Sequence, residues 1–284
     1  MRISSLIAIV LPVAAAFGQG GGQGGGVNPL LVPNPYNSPP EVKGGPVPRL
    51  PDGKPDMQGV WLVRAPGNSM SMLSVESLSN GRGGVRKGVI TDPADGKIPY
   101  QPWAREKQKD LAANHMIEES DAHCLLGGFP HTSYTPFGFR LLQPPNEVVM
   151  VWEFMHAYRV IPMDGRPHLD AKTKLYMGDS RGHWEGDTLV IDVTNQKGRS
   201  WIDQAADFHS DAIHVVERFT MTDSNNITYE ATIEDPKVYT QPWKIAYFFS
   251  KYNDPKYEAL EFACIEGEYD IKSQQASAAA AAAK

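Results

Sequence analysis

The stretch AIHVVERFTMTDSNNITYEATIEDP, residues 212–236, decides the fold class of this sequence. Two runs rich in β-branched and aromatic residues flank the tetrapeptide DSNN, whose asparagines tolerate the positive φ angles of a hairpin turn. Successive side chains of a strand point to opposite faces, so one face of the second run is wholly apolar: Ile227, Tyr229, Ala231 and Ile233. The stretch therefore predicts an antiparallel β-hairpin with one buried face.

Glu217 interrupts the apolar face of the first strand of this hairpin. The other residues of that face are Ile213, Val215, Phe219 and Met221. An unpaired buried carboxylate is costly, so Glu217 is expected to be paired, protonated or in a wet cavity. A bulge would instead turn it outward. A polar interior site, a structural ion pair and simple exposure all remain open.

The same pattern continues on both sides of the hairpin. At least six strands follow one another through short turns, among them a long run over 148–161 and an inward face of Trp243, Ile245, Tyr247 and Phe249. A helix is predicted within 101–117, after long loops over 64–100. The sequence predicts a mainly β fold, an antiparallel meander closing into a barrel with one or two short helices and long N-terminal loops.

The two ends of the chain differ in composition from this domain. Residues 1–18 carry Arg2, an apolar run and small residues, which is typical of a signal peptide and predicts export to the periplasm or beyond. Residues 19–55 form a Gly/Pro-rich leader, 56–272 a single barrel-like domain, and 273–284 a low-complexity tail. No stretch after the signal is long and apolar enough to span a membrane.

The net charge and the cysteine content indicate which binding partners and which covalent cross-link to expect. A net charge of −6 without a basic stripe disfavours nucleic acid, and nothing in the sequence indicates an oligomeric state. An exported chain with two cysteines, Cys124 and Cys264, favours a disulfide between them, although two separate buried thiols are the alternative.

The candidate catalytic residues are Glu217, His156 and His214. A carboxylate and an imidazole are the usual acid and base of a hydrolase or lyase. A divalent metal could assist such a site, but the histidine spacings match no metal motif and identify no ligands.

A second group of residues could line a ligand site in or at the mouth of the barrel, where barrels bind small molecules. The candidates comprise aromatic residues for the walls of the site, an arginine for binding an anion, and polar loop residues. They are Tyr158, Arg159, Trp184, His209, Asp211, Tyr229 and Trp243. A loop is expected over 179–184. Each aromatic residue could equally be an ordinary part of the core.

Two resemblances accompany these patterns. The segment Gly59-Val60-Trp61 resembles the opening of lipocalin-like barrels, where the tryptophan closes one end. The set PADGKIPYQPW, YRVIPMDGRPH, MGDSRGHWEGDTLVIDVTN, FHSDAIHVVERF and YEATIEDPKVYTQPW resembles a large family of uncharacterised exported proteins of soil bacteria. This second resemblance implies export but no catalytic residue.

Three functions follow from the sequence. The first is an exported protein that holds a small organic ligand in or at the mouth of its barrel. The second is a hydrolase or lyase with a Glu/His site, and the third is a structural envelope protein. A shared pocket of Glu217 and a histidine would favour the enzyme.

Overall fold

A computed structural model describes residues 43–64, 89–135, 138–203, 205–254, 256 and 257, all within one compact unit. The predicted signal peptide, most of the predicted leader, Cys264 and the predicted tail lie outside these residues. The described part of the leader contacts the barrel, because Arg49 forms an ion pair of 2.6 Å with Asp187. No helix in the described ranges is long and apolar enough to cross a membrane.

The described residues form ten strands. In chain order β1 to β10 are Gly59–Arg64, Ile90–Asp92, Gly138–Leu142, Glu147–Trp152, Tyr158–Pro162, Asp179–Glu185, Thr188–Thr194, His214–Asp223, Asn226–Glu234 and Trp243–Lys251. The hairpin predicted around DSNN is β8–β9. The last strand predicted from the sequence lies mostly outside the described residues.

A single α-helix, α1 (Pro102–Asn114), occurs in the part of the chain that the structure describes. It confirms the predicted helix, and Pro102 occupies the first turn, where its missing N–H has no partner to lose. Four short 3₁₀ helices accompany it: Met116–Glu118, Asp121–His123, His131–Tyr134 and Phe154–His156.

Nine strands form one antiparallel path in the order β5-β4-β3-β1-β10-β9-β8-β7-β6, and the short β2 pairs with β10 beside it. β1 and β10, the first and last of the described strands in chain order, therefore pair, with Trp61 opposite Lys251. This arrangement is the nearly closed, mainly β barrel that the sequence predicted, consistent with a lipocalin-like fold.

The two ends of this path, β5 and β6, meet at what we call the seam. Arg159 Nε on β5 donates to Ser180 Oγ on β6 at 2.9 Å. Gly182 on β6 lets β5 approach, since a Cβ there would lie 2.8 Å from Ile161. Side chains rather than a backbone ladder thus hold the seam.

The interior is built from the alternating faces predicted for the strands. All of the predicted inward residues of β9 and β10 are buried, and aromatic rings of β8, β9 and β10 fill the centre. Phe219 and Tyr229 lie 4.9 Å apart between ring centroids, and Tyr229 and Tyr247 lie 4.6 Å apart. The middle of the barrel is therefore an aromatic core.

One end of the barrel is covered by α1 and by the segment that links β7 to β8; we call it the capped end. Gln101 donates its backbone N–H to Val238 O, and Gln108 Nε2 donates to Ala205 O at 3.0 Å. The opposite end carries tight turns, such as the one between β8 and β9. The ends of β4, β7 and β9 point to the capped end.

Two predictions from the sequence were wrong, one for residues 148–161 and one for residues 179–184. The run over 148–161 is not one strand, because the 3₁₀ turn Phe154–His156 divides it into β4 and β5, with Met155 and His156 at φ 58° and 50°. The hairpin turns Tyr158 outward and Arg159 inward. Residues 179–184, expected as a loop, belong to strand β6.

Candidate functional site

The centre of the polar interior is a buried ion pair between Arg159 and Glu217. Arg159 Nη2 donates to Glu217 Oε2 at 2.5 Å, and the two residues are 4% and 0% exposed. Of the three alternatives for Glu217, simple exposure is therefore excluded. The pair crosses the seam, since Arg159 lies on β5 and Glu217 on β8.

The remaining carboxylate oxygen of Glu217 accepts a second hydrogen bond. Tyr229 Oη donates to Glu217 Oε1 at 2.8 Å, and Tyr247 Oη lies 2.9 Å from Ser133 Oγ. Burial, together with the nearby charge of Glu217, raises the pKa of Tyr229 well above its usual value, and burial does the same for Tyr247. Both phenols therefore keep their protons at neutral pH, and the Tyr229 hydroxyl donates to Glu217.

Arg159 also stacks on an aromatic ring from the capped end. Its guanidinium carbon lies 3.7 Å from the centroid of Phe129, a geometry that favours a cation. Gln196 fixes Phe129 by accepting from its backbone N–H at 2.8 Å and donating to its carbonyl at 2.9 Å. The guanidinium is thus held from four sides, by Ser180, Glu217, Phe129 and its own strand.

Two N–H donors beside this ring have no hydrogen-bond partner among the described residues: Arg159 Nη1 and Trp152 Nε1. Trp152 contacts the same ring, with centroids 5.8 Å apart. Met150 lies opposite Arg159 in the β4–β5 ladder, which makes Trp152 and Arg159 diagonal neighbours on the inner face. Each unmade hydrogen bond costs about 1–3 kcal/mol, so an acceptor at this point would be stabilising.

Comparison with known proteins does not supply a relative for this site. No family model, curated protein or solved structure matches the chain. The interpretation of the site therefore rests on its geometry and chemistry.

The three candidate catalytic residues do not come together. Glu217 points inward, whereas His214 on the same strand lies on the outer face, 3.2 Å from Asp192. His156 is exposed in the turn between β4 and β5. The geometry therefore gives no common pocket of Glu217 with either histidine.

The seven candidate ligand residues are distributed over several regions. Arg159, Tyr229 and Trp243 are buried inside the barrel, and Trp184 packs against the core, whereas Tyr158 is 68% exposed on the outside. His209 and Asp211, expected together, are apart: His209 Nε2 lies 3.2 Å from Ser200 Oγ, and Asp211 forms an exposed ion pair with Lys237. Burial lowers the pKa of His209.

A pair of buried carboxyls at the capped end escaped the sequence analysis. Asp203 Oδ1 accepts the backbone N–H groups of Ala205 and Asp207, and Tyr100 Oη donates to Asp207 Oδ1 at 2.9 Å. Burial, and next the charge of Asp207, raise the pKa of Asp203 well above its usual value. The buried surroundings therefore disfavour the charged form of Asp203.

A second missed group consists of Glu119, Asp121 and His131, whose ligand atoms all lie within 4.8 Å of one another. Asp121 and His131 begin two separate 3₁₀ turns, and Glu119 lies just before the first of these, so no periodic pattern joins the three residues. The available signal was local: the short E-x-D spacing and the Gly-Gly-Phe-Pro-His run.

Proposed function

We propose that this chain is an exported β-barrel protein that binds a small organic ligand at the capped end of its barrel. The proposal is carried by the two buried N–H donors, Arg159 Nη1 and Trp152 Nε1, which lack an acceptor among the described residues. Buried polar groups in proteins are almost always paired, with protein, water or ligand. A ligand oxygen placed between them would satisfy both.

The charge of the site favours a neutral ligand over an anion. Arg159 is already neutralised by Glu217 at 2.5 Å. A ligand carboxylate would add a second buried negative charge beside Glu217, with no further cation to balance it. A carbonyl, ether or hydroxyl oxygen accepts the same hydrogen bonds without that cost.

The walls of the site favour a compact, apolar body on that ligand. Phe129 and Phe139 both pack against Trp152, with ring centroids 5.8 Å and 5.3 Å from it. The middle of the barrel is filled by aromatic side chains, so the ligand would sit at the capped end and not along the axis. A small aromatic ketone, aldehyde or ether has this shape.

Binding is tested with acetophenone as the probe and α-methylstyrene as its oxygen-free match of nearly equal shape. In titrations of the purified full chain followed by ligand-observed NMR, acetophenone should bind roughly tenfold more tightly, because it alone accepts the two hydrogen bonds. Native mass spectrometry of the protein as purified should show a co-purified small molecule.

The matched variants are Trp152→Phe and Trp243→Phe. Both tryptophans are buried, and Nε1 of each has no hydrogen-bond partner among the described residues. Trp243, however, packs edge-to-face against Tyr239, with ring centroids 5.5 Å apart, and not against Phe129. Trp152→Phe should weaken acetophenone binding roughly threefold to tenfold, and Trp243→Phe should not. Equal binding of the two probes, or equal effects of the two variants, would overturn the proposal.

Export is part of the same proposal and is supported by the apolar N-terminal run of the sequence. Edman sequencing of the protein recovered from the periplasm of an expressing bacterium should find a new N-terminus near Gly18. Recovery of the intact N-terminus in the cytoplasm alone would contradict export without affecting the ligand site.

A further inference from the structure

The capped end brings together three side chains that can bind one metal ion. Glu119 follows the 3₁₀ turn Met116–Glu118, Asp121 begins the next turn, and His131 begins the turn after the Gly127–Gly128 pair. Glu119 and His131 are buried, and the Asp121 side chain is 9% exposed. Two carboxylates and an imidazole are ligands that suit a first-row transition ion.

The decisive observation concerns the two ring nitrogens of His131. Nδ1 lies 2.9 Å from the carbonyl oxygen of Trp201, which can only accept, so Nδ1 carries a proton. Nε2 has no hydrogen-bond partner among the described residues, although the residue is 1% exposed. In the neutral ring Nε2 holds a lone pair, and backbone carbonyls orient metal-binding histidines in this way.

The Nε2 lone pair is directed at a carboxylate. Asp121 Oδ2 lies 3.5 Å from Nε2. Two lone pairs at that distance repel each other unless a cation lies between them. Two ligands of a tetrahedral ion with bonds of about 2.1 Å are about 3.4 Å apart, so this separation fits a shared metal.

Local backbone structure holds the imidazole in place. Gly127 has no Cβ, and one added there would lie 2.8 Å from Nδ1 of His131. Gly128 adopts φ 71°, in the left-handed region that favours glycine. The ring is therefore seated by the glycine pair on one side and by the Trp201 carbonyl on the other.

The cluster borders a small recess in the surface of the capped end. Asp121 lines this recess together with Thr132, Thr135, Phe154, Met155 and Ala157. A zinc site that keeps one position for water or substrate uses three protein ligands. From these contacts we infer that Glu119, Asp121 and His131 bind one divalent transition-metal ion.

This metal site is independent of the proposed organic ligand, which depends on Arg159 and Trp152. The test uses the full chain, dialysed against EDTA and then titrated with ZnCl₂ by isothermal titration calorimetry. We expect one equivalent to bind. Asp121→Asn, which keeps size but loses charge, should weaken zinc binding at least about tenfold, and so should His131→Gln.

The matched control is Glu118→Gln. Glu118 also contacts a histidine, His115, at 2.9 Å, but both side chains are largely exposed. This variant should bind zinc like the unmodified chain. Circular dichroism checks folding, and if His131→Gln does not fold, Asp121→Asn decides.

A second readout follows His131 directly. In ¹⁵N-detected NMR of the metal-free protein, Nδ1 should show an attached proton and Nε2 none, and zinc should shift the Nε2 resonance. The inference is overturned if less than about a tenth of an equivalent binds, or if Asp121→Asn and Glu118→Gln bind alike. It is also overturned if both ring nitrogens carry protons and zinc changes neither, since His131 and Asp121 would then be a simple ion pair.

Discussion

Arg159 on β5 and Glu217 on β8 form an ion pair inside the barrel although β6 and β7 separate their strands in the wall. The pair closes the seam together with the Arg159–Ser180 hydrogen bond. Because both residues are excluded from water, neither charge has another way to be balanced. The stability of the closed barrel therefore depends on both partners being present.

We expect Glu217→Gln to lower the free energy of unfolding by roughly 3–5 kcal/mol, the usual cost of removing one partner of a buried pair. The amide also places a donor against Arg159 Nη2, which is itself a donor. Urea unfolding at neutral pH measures the change. The exposed Glu230→Gln on β9 is the control and should change stability by less than about 0.5 kcal/mol.

The double variant Arg159→Met/Glu217→Leu separates charge from packing. Replacing a buried pair with apolar residues is often nearly neutral, so the double variant should be more stable than Glu217→Gln. If the double variant is the less stable of the two, the cost in the single variant does not come from an unbalanced charge.

The buried carboxyl Asp203 should make the protein less stable as the pH rises. Burial, and then the charge of Asp207, raise the pKa of Asp203 in the folded state. The stability that Asp203 contributes is therefore complete below its unfolded pKa, about 3.9. It is lost as the pH rises through the folded pKa. Asp203→Asn keeps the acceptor for Ala205 and removes this loss. Its melting temperature should exceed that of the unmodified chain at about pH 8 and not at about pH 4, whereas the exposed Asp52→Asn should match the unmodified chain at both.

The outer face carries a pH-dependent ion pair between His214 and Asp192. Asp192 raises the pKa of His214, and His214 lowers that of Asp192, which His168 also contacts at 3.0 Å. The stability that His214 contributes is complete below its unfolded pKa, about 6.5, and is lost as the pH rises. The stability that Asp192 contributes is instead lost as the pH falls into the acid range.

His214→Gln should therefore destabilise the protein more at about pH 5.5 than at about pH 8.5. The side chains are 35% and 38% exposed, so solvent screening limits the loss to at most about 1 kcal/mol. Urea unfolding at the two pH values tests the sign. A larger loss at the higher pH would contradict the assignment of the charge to His214.

The disulfide between Cys124 and Cys264 remains a prediction, because Cys264 lies outside the described residues. Cys124 ends the 3₁₀ turn Asp121–His123 at the capped end. Peptide mapping without reductant should yield one linked pair, and reduction should cost roughly 3–5 kcal/mol in the chain-entropy account. Cys124→Ser should match the reduced protein; recovery of two alkylated cysteines without reductant would refute the bond.

The sequence alone was sufficient to predict strands in which apolar and polar residues alternate. Alternation gave the inward faces of β9 and β10, and the anomalous position of Glu217 was visible as a carboxylate on an apolar face. Alternation failed over 148–161 because the run is apolar on both faces, which hides a turn. That turn uses Met155 and His156 at positive φ, positions where glycine or asparagine is the usual signal.

The polar groups of the capped end could not be predicted in the same way. Glu119, Asp121 and His131 come from separate turns, and Arg159 finds Glu217 only after the barrel closes. Such contacts depend on how loops pack on a finished sheet, and strand periodicity carries no information about that.

The pairing of β1 with β10 has a consequence for the order of folding. The wall consists of two runs of strands, β1-β3-β4-β5 and β6 to β10, which are joined by the β1–β10 ladder, by the pairing of β2 with β10 and by the seam. Local hairpins close quickly, whereas bringing Trp61 to Lys251 requires closure of most of the chain. In pulsed hydrogen exchange during refolding, the amides of β8 and β9 should therefore become protected before those of β1. The joining of the two halves of the wall would then be the late, slow step of folding.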